Sequence, residues 1–494
     1  MMSLSLPVLL SYVGQASLSV VCTAYLGHLN DAAVLAAAGL GVSFVNITGN
    51  AIVAGFCSAL DTLCANAFGS GHYATVTVVT MRGAVIMALL LVPAIAYAWG
   101  WGARPALSWL VLRRSGGGGG EATAHASNEA VVVLAASFAR WSTIGLVPMI
   151  GYEVMKRYLQ AQGIVVPIIY VTLTAAVANA LLQHLLVHRL QLGIVGASVS
   201  LALSNWVLLF MLAMVTRRWR LGEQTWLGRH ETTTSTSDTR YRFWIRALFT
   251  EWLPFLELAV PGVALVLLEW GAFEVTLFMA ARLPASQGAT PADAIAAQSV
   301  LMNAVYFCFM LPLSIHIGAS IRVGNLVGAG QAVAARHAAH TALAFAAVTG
   351  IALALLLYGG RGWWPLFFTN NADIAQRVSA TAGYVALFEL QDCLQYTGVG
   401  IVKGIGKQTV GALAGLGGFW LGAIPIGTLC AFVFQKGVAG IWMGFVLGEL
   451  LLATFYISYI GLCVRWHDEV RLVRTRIEAN ELTPEVDGFQ ALPS

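Results

Sequence analysis

The chain has 494 residues, of which 58% are hydrophobic and only 10% are charged. A soluble globular protein carries about 25% charged residues, so this composition excludes a soluble globule and indicates a membrane protein with many spans. The net charge of +4 does not indicate a nucleic-acid partner, because basic cytoplasmic loops produce the same excess in membrane proteins.

Twelve apolar runs are long enough to cross a bilayer, which takes about 20 residues. They lie near residues 3–26, 32–59, 81–102, 129–152, 164–188, 192–216, 253–280, 295–319, 338–359, 378–402, 409–434 and 438–463. The first run is predicted to be a span and not a signal peptide, because no basic residues precede it.

An even number of spans places both termini on one side, and the loops of that side hold most of the Lys and Arg residues. This bias predicts cytoplasmic termini. The predicted location is the plasma or vacuolar membrane.

The two halves of the chain repeat short motifs in the same order. Asn66-Ala-Phe-Gly-Ser-Gly71 returns as Asn325-Leu-Val-Gly-Ala-Gly330, and Gly193-Ile-Val-Gly196 returns as Gly437-Val-Ala-Gly440. Pro7 and Pro261, each near the start of an apolar run, form a further pair. Such a repeat predicts two homologous halves with a substrate cavity between them.

Polar stretches divide the chain into predicted domains. Residues 1–216 form an N-terminal lobe of six helices, 217–249 a mobile cytoplasmic linker, 250–466 a C-terminal lobe of six helices, and 467–494 a disordered cytoplasmic tail. The five consecutive glycines at 116–120 are interpreted as a flexible insertion in an outer loop, because no phosphate-binding helix start follows them.

Acidic residues inside the predicted spans are the first candidates for function. A charged side chain at hydrocarbon depth costs about 2.5–3.5 kcal/mol, so each one needs a reason. Span seven carries Glu269 and Glu274, and span ten carries Glu389 and Asp392 on the same helix face as Tyr396. Burial and like-charge neighbours favour the protonated carboxyl, which is what proton coupling requires. The alternative is that these acids bond to hydroxyls or amides and hold helices together.

The candidate polar groups of the first half are neutral, with Gln15 at the position that matches Glu269. These groups either line the cavity or satisfy one another between helices, and the sequence does not choose between the two. The residues predicted to line the substrate cavity are Gln15, Asn46, Asn50, Asn179, Trp270, Asn303, Tyr306 and Tyr396.

Other motifs predict no further chemistry. His184 and His188 have the spacing of a zinc helix but lack its glutamate, and they lie at the end of span five, where interfacial anchoring is the simpler interpretation. The seven cysteines have no CxxC spacing, which indicates neither a metal cluster nor a disulfide framework. No Walker A sequence is present, so ATP is not the predicted energy source. No cofactor or metal is predicted.

Five segments together resemble the multidrug and toxic compound extrusion (MATE) family, in its eukaryotic branch, and the resemblance covers nearly the whole chain. They are Ala59-Leu-Asp-Thr-Leu-Cys64, Arg157-Tyr-Leu-Gln-Ala-Gln162, Leu268-Glu-Trp-Gly-Ala-Phe-Glu274, Arg322-Val-Gly-Asn-Leu-Val-Gly-Ala-Gly330 and Gly404-Ile-Gly-Lys-Gln408. The resemblance implies twelve transmembrane helices in two pseudo-symmetric six-helix lobes. It also implies export of organic compounds against protons or, in some bacterial members, sodium, with the acids of spans seven and ten carrying the coupling cation. One departure is Asn303, which stands where the animal organic-cation exporters have a glutamate in span eight.

The predicted function is a secondary antiporter, not an enzyme, that exports organic cations or amphiphiles in exchange for protons, with sodium the less favoured ion. The predicted partners are a small organic substrate, the proton and the lipid bilayer, and the predicted state is a monomer. A lipid-linked oligosaccharide flippase is the alternative within transport, although the span count and the Glu269 and Glu389 pair favour the exporter. An intramembrane enzyme is the alternative from another class, but the sequence has no convincing nucleophile and base.

Overall fold

A computed structural model describes residues 2–27, 32–112, 121–226, 248–283, 291–369 and 371–480. Every regular element in these residues is a helix. The first half contains α1 (Met2–Gly27), α2 (Ala32–Val45), α3 (Ala51–Gly69), α4 (Tyr73–Tyr97), α5 (Ala103–Leu112), α6 (Glu121–Ser142), α7 (Leu146–Ala161), α8 (Val166–Gln183) and α9 (Gly193–Arg218). The second half contains α10 (Trp252–Ala280), α11 (Pro291–Gly328), α12 (Ala332–Gly359), α13 (Ala372–Gly404), α14 (Gln408–Gly415), α15 (Ile424–Thr428), α16 (Gly437–Ser458) and α17 (Trp466–Asn480).

Short turns of tighter or wider helix join several of these elements into longer rods. They connect α2 to α3 (Asn46–Asn50), α4 to α5 (Ala98–Gly102), α6 to α7 (Thr143–Gly145) and α14 to α15 (Leu416–Ala423). Others extend α8, α15 and α16 (His184–Arg189, Leu429–Val433 and Tyr459–Cys463). Because the backbone stays hydrogen-bonded through these turns, the rods can lie in a bilayer without exposing polar groups.

Eleven helical rods in the described residues are long and apolar enough to cross a membrane. The twelfth predicted span, near residues 378–402, is α13, a 33-residue helix. It falls outside those eleven because Glu389, Asp392 and other polar side chains lower its hydropathy. The predicted class of an all-helical protein with many membrane spans is confirmed.

Several helices extend beyond their predicted spans. The second rod runs to Gly69, about a third longer than the predicted 32–59, because the polar residues Asp61, Thr62 and Asn66 continue the helix instead of ending it. Its end is the turn at Gly71, which has a left-handed φ of 83°. The predicted turn between spans ten and eleven is confirmed at Gly406, with a φ of 76°.

The internal repeat reappears in the backbone. The repeated motifs end in left-handed residues at equivalent positions of the two halves, a conformation that is rare outside glycine. The matched pairs are Gly71 with Gly330, Gly163 with Gly406, Gly193 with Gly437, and Gln191 with Gln435. Four such pairs in the same order mean that the halves share their turn geometry as well as their motifs.

Packing divides the chain into two compact units. The described residues of the N-terminal unit fall within Leu10–Leu60 and Tyr73–Leu256. The C-terminal unit contains Asp61–His72, the described residues of Glu257–Glu481 and the first turns of α1. The end of α3 therefore packs with the second half of the chain, whereas the predicted lobes divide the chain by position alone.

The two copies of the Asn-x-x-Gly motif contact each other within the C-terminal unit. A side chain on Gly69 would collide with the backbone of Asn325, and one on Gly328 would collide with the backbone of Asn66. The contact is reciprocal, as expected for two copies of one motif related by a two-fold axis. Nearby, the Thr62 hydroxyl donates to the Lys403 carbonyl at 2.6 Å and accepts from Gln408 Nε2 at 2.8 Å.

The prediction of a disordered tail from residue 467 onward is wrong for its first part. Residues 466–480 form α17, and Glu469, Val473 and Ile477 of this helix are buried. These positions have i, i+4, i+8 spacing, so the charged segment has one buried face that packs against the unit. Residues 481–494 lie outside the described residues.

Most of the predicted linker, residues 227–247, also lies outside the described residues, as does the glycine run at 116–120. The linker does not begin at residue 217, however. Residues 217–226 pack on the N-terminal unit, where Thr225 is fully buried and its hydroxyl bonds to that of Tyr158.

Candidate functional site

Three of the predicted acids come together in the C-terminal unit. Glu269 on α10 is 4% exposed, and Glu389 and Asp392 on α13 are 0% and 3% exposed. Asp392 interacts electrostatically with both Glu269 and Glu389. The structure thus places carboxyl groups from two helices in one buried site.

These carboxyls lack the partners that buried acids usually have. Neither oxygen of Glu389 has a hydrogen-bond partner, and Oδ2 of Asp392 has none. A buried carboxylate with neither a hydrogen-bond donor nor a cation beside it destabilises the fold by about several kcal/mol. The arrangement favours groups that bind a proton or a cation over groups that hold helices together.

A layer of aromatic rings covers one side of the carboxyls. The Phe273 ring centroid lies 5.8 Å from that of Phe388 and 5.4 Å from that of Phe445, and Trp442 lies 5.4 Å from Phe388. Phe419 packs on the same layer, 6.1 Å from Phe273. Phe273 and Phe388 lie four residues along their helices from Glu269 and Asp392, so the layer is about one helical turn away from these carboxyls.

A chain of buried hydrogen bonds fixes this layer. Trp442 Nε1 donates to Gln298 Oε1 at 2.9 Å, Gln298 Nε2 donates to Thr276 Oγ1 at 2.8 Å, and Thr276 Oγ1 donates to the Phe273 carbonyl at 2.7 Å. The chain connects α16, α11 and α10. Because the indole and amide groups are buried, breaking the chain leaves them unsatisfied.

The other side of the site leads to a buried histidine and lysine. The His316 ring stacks on Tyr396 at 4.4 Å, and its Nδ1 lies 2.8 Å from the Tyr396 carbonyl oxygen. A carbonyl only accepts, so Nδ1 carries the hydrogen and Nε2 accepts from Lys403 Nζ at 3.4 Å. Lys403 also acts electrostatically on Glu269, which makes it the positive charge that faces this acid.

The other candidates of this unit lie around the carboxyls. Glu274 is half-buried and lies about 140° around α10 from Glu269, so the two face different ways. Trp270 is half-buried, and Tyr306 is 47% exposed. Asn303 is exposed and donates to the Ser299 carbonyl one turn back at 2.9 Å. Their roles in coupling and substrate binding stay predictions.

The N-terminal unit contains a polar cluster of a different kind, built on Gln15. Gln15 Nε2 donates to Glu153 Oε1 at 3.0 Å, and Lys156 Nζ donates to Gln15 Oε1 at 3.0 Å and to Glu153 Oε1 at 2.6 Å. Lys156 also lies over the Tyr12 ring at 4.5 Å. Every charge in this cluster has an opposite charge or an amide beside it.

The remaining candidates of the N-terminal unit bond within the protein. Asn50 Nδ2 donates to Asn46 Oδ1 at 2.7 Å, across a π-helical turn. Asn179 is fully buried and donates to Ser204 Oγ on the next helix at 2.9 Å. These contacts agree with the alternative in which the polar groups of the first half hydrogen-bond to one another. That these residues line a substrate cavity stays a prediction.

Sequence reasoning missed four residues of these clusters. Glu449 is a fully buried acid of α16, and it was detectable as an acid inside an apolar run. Glu153 and Lys156 were hidden because they follow the predicted end of span four, although their i, i+3 spacing is a signal of pairing. His316 lies within the predicted span 295–319, so it was detectable as an ionisable residue in a span, although its partners on another helix were not.

One ion pair lies outside the spans, where α17 meets the chain after α13. Lys407 Nζ lies 2.5 Å from Glu469 Oε1. Burial disfavours the charge on Lys407, but the hydrogen bond to Glu469 and its negative charge outweigh burial and raise the pKa of Lys407.

An all-helical protein with many spans and buried, unpaired carboxyls has the features of a membrane transporter. The MatE family model matches residues 7–111 and 261–429, which together make up more than half of the chain. The two matches begin at Pro7 and Pro261, the prolines paired by the sequence repeat. The chain therefore belongs to the MatE family, whose members are transporters and not enzymes.

Known proteins agree with this assignment along the whole chain. The chain is 30% identical to multidrug and toxin extrusion protein 2 of Mus musculus over 93% of its length and 73% of the relative's. It is 28% identical to multidrug and toxin extrusion protein 1 of Danio rerio over 99% of its length and 76% of the relative's. The crystal structure of the eukaryotic MATE transporter AtDTX14 has the same fold, with a TM-score of 0.82, 24% identity, and coverage of 96% of this chain and 98% of that one. The predicted family and fold class are confirmed.

Proposed function

We propose that the protein exports organic cations or amphiphiles across a membrane in exchange for protons. The observation that carries the proposal is the buried group formed by Glu269, Glu389 and Asp392, in which both oxygens of Glu389 and one oxygen of Asp392 have no hydrogen-bond partner. An unpaired buried acid is stable only when it is protonated or neutralised by a cation. The group therefore stores a cation that must leave when a cationic substrate arrives.

We favour the proton over sodium as this cation. Sodium needs several oxygen ligands at short range, whereas a proton needs only one carboxyl and intermittent access to water. In the described residues, no three acidic, histidine or cysteine side chains converge closely enough to hold a metal ion. The carboxyls act on one another electrostatically, so each proton that binds relieves repulsion within the group.

The substrate class is inferred from charge and from the relatives. Two relatives from animals are named multidrug and toxin extrusion proteins, which supports a role in efflux of foreign organic compounds. An acidic site attracts cations, and exposed or half-buried rings such as Tyr306 and Trp270 bind them through their faces. Asn303 stands where the animal organic-cation exporters are expected to have an acid, so the substrate spectrum is proposed to differ from theirs.

The excess of Lys and Arg in the loops on the side of the termini supports cytoplasmic termini. Export across the plasma membrane or sequestration in a vacuole uses this same orientation. Each chain contains a complete acidic site, so a monomer is the proposed functional state.

The experiment is transport by the purified protein in vesicles that have an acid lumen and sodium-free buffer. A fluorescent organic cation should accumulate in the lumen, and an uncoupler that collapses the pH gradient should release it. Vesicles with Glu129→Gln, an exposed acid of α6, serve as the matched control. Accumulation only when a sodium gradient is imposed would overturn the proton assignment but not the exporter. No accumulation with either ion would overturn the proposal.

A further inference from the structure

Glu449 is an acid in the middle of α16, a helix of 22 residues that crosses the membrane. It is 0% exposed, and neither of its carboxyl oxygens has a hydrogen-bond partner. The rest of α16 carries no charged residue, and neither does the neighbouring segment 408–433. A buried, unpaired acid at this depth raises the free energy of the folded protein, which indicates that the carboxyl has a function.

Ring contacts fix the height of Glu449 relative to the acids on the other helices. Phe445 contacts Phe273, with centroids 5.4 Å apart, and Phe388, with centroids 6.5 Å apart. Each of the three helices carries an acid four residues from its ring. These acids are Glu269 before Phe273, Asp392 after Phe388 and Glu449 after Phe445. Residues four apart lie on one helix face, about 6 Å along the axis.

The direction of the helices brings these acids to one level. The seventh span, α10, crosses the membrane in the opposite direction to the tenth and twelfth, α13 and α16. Glu269 precedes its ring on α10, whereas Asp392 and Glu449 follow theirs on α13 and α16. Because α10 runs the opposite way, all three acids lie on the same side of the aromatic layer. A second contact supports this register: a side chain on Gly398 would meet the Tyr456 ring. Gly398 lies six residues beyond Asp392, and Tyr456 lies seven beyond Glu449.

The charges around Glu449 agree with this position. Asp392, Glu389 and Glu269 all act on it electrostatically, and Tyr456 of its own helix faces it. A positive charge, that of Lys403, acts on Glu269. Four acids with one cation among them cannot all be ionised in a dry interior, because each added charge is repelled by the others.

We propose that Glu449 is a fourth proton-binding carboxyl of the acidic site, which gains and loses its proton together with Glu269, Glu389 and Asp392. This inference rests on the proposed proton antiport and extends it. When a carboxylate of the group takes up a proton it becomes a neutral acid, which removes its repulsion with the carboxylates that remain. The alternative is an acid that stays protonated throughout and only fills space.

The direct test is infrared spectroscopy of the purified protein as the pH is stepped. A buried protonated carboxyl has its own carbonyl band, so Glu449→Gln should remove one band that responds to pH and shift those of the remaining acids. Glu449→Asp keeps a titrating carboxyl and should keep a displaced band, even if the amide variant folds poorly. Glu129→Gln, whose carboxyl is exposed, should leave the buried bands unchanged. A Glu449 band that ignores pH, or a complete set of pH-responsive bands in Glu449→Gln, overturns the inference.

Transport separates this inference from the function on which it rests. Glu449→Gln should lower the number of protons exchanged per substrate and slow pH-driven uptake about tenfold, whereas Glu449→Asp should retain most of the uptake. A wild-type protein that ignores a proton gradient would overturn the antiport, while the infrared bands would still decide the role of Glu449. Wild-type transport driven by protons, together with an unchanged proton count and unchanged bands in Glu449→Gln, would overturn the inference alone.

Discussion

The two units each contain a cluster of buried polar residues, and the clusters differ in whether their acids have partners. In the N-terminal unit, Glu153 is paired with Lys156 at 2.6 Å and bonded to Gln15 at 3.0 Å. In the C-terminal unit, Glu389 and Glu449 have no hydrogen-bond partner for either carboxyl oxygen. Arg157 also lies 3.9 Å from Glu153, so the acid of the first cluster is compensated by two cations and stabilises the fold. The second is incomplete and needs a proton or cation from outside, which is what a coupling site requires.

The same comparison explains why equivalent positions differ between the halves. Gln15 and Glu269 correspond by distance from the paired prolines. An amide at the first position can accept from Lys156 and donate to Glu153 at once, whereas an acid would add a second negative charge. The asymmetry of charge therefore follows from the partners already present on α7.

The largest effect is expected from removing the titrating group of the incomplete cluster. Glu389→Gln and Glu269→Gln should each abolish transport driven by a pH gradient, because the amide has nearly the same shape but cannot bind the proton. Since Glu389 has no partner to lose, its variant should keep the wild-type unfolding temperature in detergent or exceed it. Vesicle uptake and thermal unfolding measure the two quantities. Wild-type uptake in either variant would remove that residue from coupling.

The second prediction makes the opposite change in the complete cluster. Glu153→Gln leaves the buried ammonium of Lys156, which is 1% exposed, without its counter-ion. The free energy of unfolding should fall by about 3–5 kcal/mol, the range for breaking one side of a buried pair. Thermal unfolding in detergent measures the loss.

A double variant, Glu153→Gln with Lys156→Met, removes both charges and should recover most of that stability. The pH dependence of any remaining transport should match that of the wild type. A shifted pH profile with unchanged stability would mean that the N-terminal cluster titrates, and the contrast between the units would fail.

The third prediction tests how the aromatic layer is held over the incomplete cluster. Gln298→Leu removes the amide between Trp442 and Thr276, which leaves the indole N–H buried without an acceptor. The cost should be about 1–3 kcal/mol in unfolding free energy. Gln331→Leu, at an exposed glutamine just before α12, is the control and should change stability little. Equal stability of the two variants would show that the chain of hydrogen bonds does not support the layer.

The sequence was sufficient for the spans and for some of the acids, for the same physical reason. Apolar runs mark membrane helices, and an acid within such a run stands out, as Glu269, Glu389 and Asp392 did. Glu449 obeys the same rule, so the sequence contains the signal for this acid too. The pairing of Glu153 with Gln15 is different, because it depends on the register between α1 and α7. His316 likewise depends on α13, and no periodicity within a single helix encodes such contacts.

The smallest effect is expected from the ion pair outside the spans. Lys407 and Glu469 join α17 to the turn after α13, and the pair is partly exposed, so Lys407→Gln should lower the unfolding free energy by at most about 1 kcal/mol.

The sign of the pH dependence of this effect follows from the raised pKa of Lys407. A group whose pKa is higher in the folded state contributes its full stability below the unfolded value of 10.5 and loses it as the pH rises through the folded value. The difference between wild type and Lys407→Gln should therefore be constant near neutral pH and shrink in strongly alkaline buffer. Unfolding curves across that range measure it, with Lys436→Gln, at the start of α16, as the control. A difference that grows with alkaline pH would mean that the lysine is more easily deprotonated in the folded protein, and the pair would then not be what holds α17 in place.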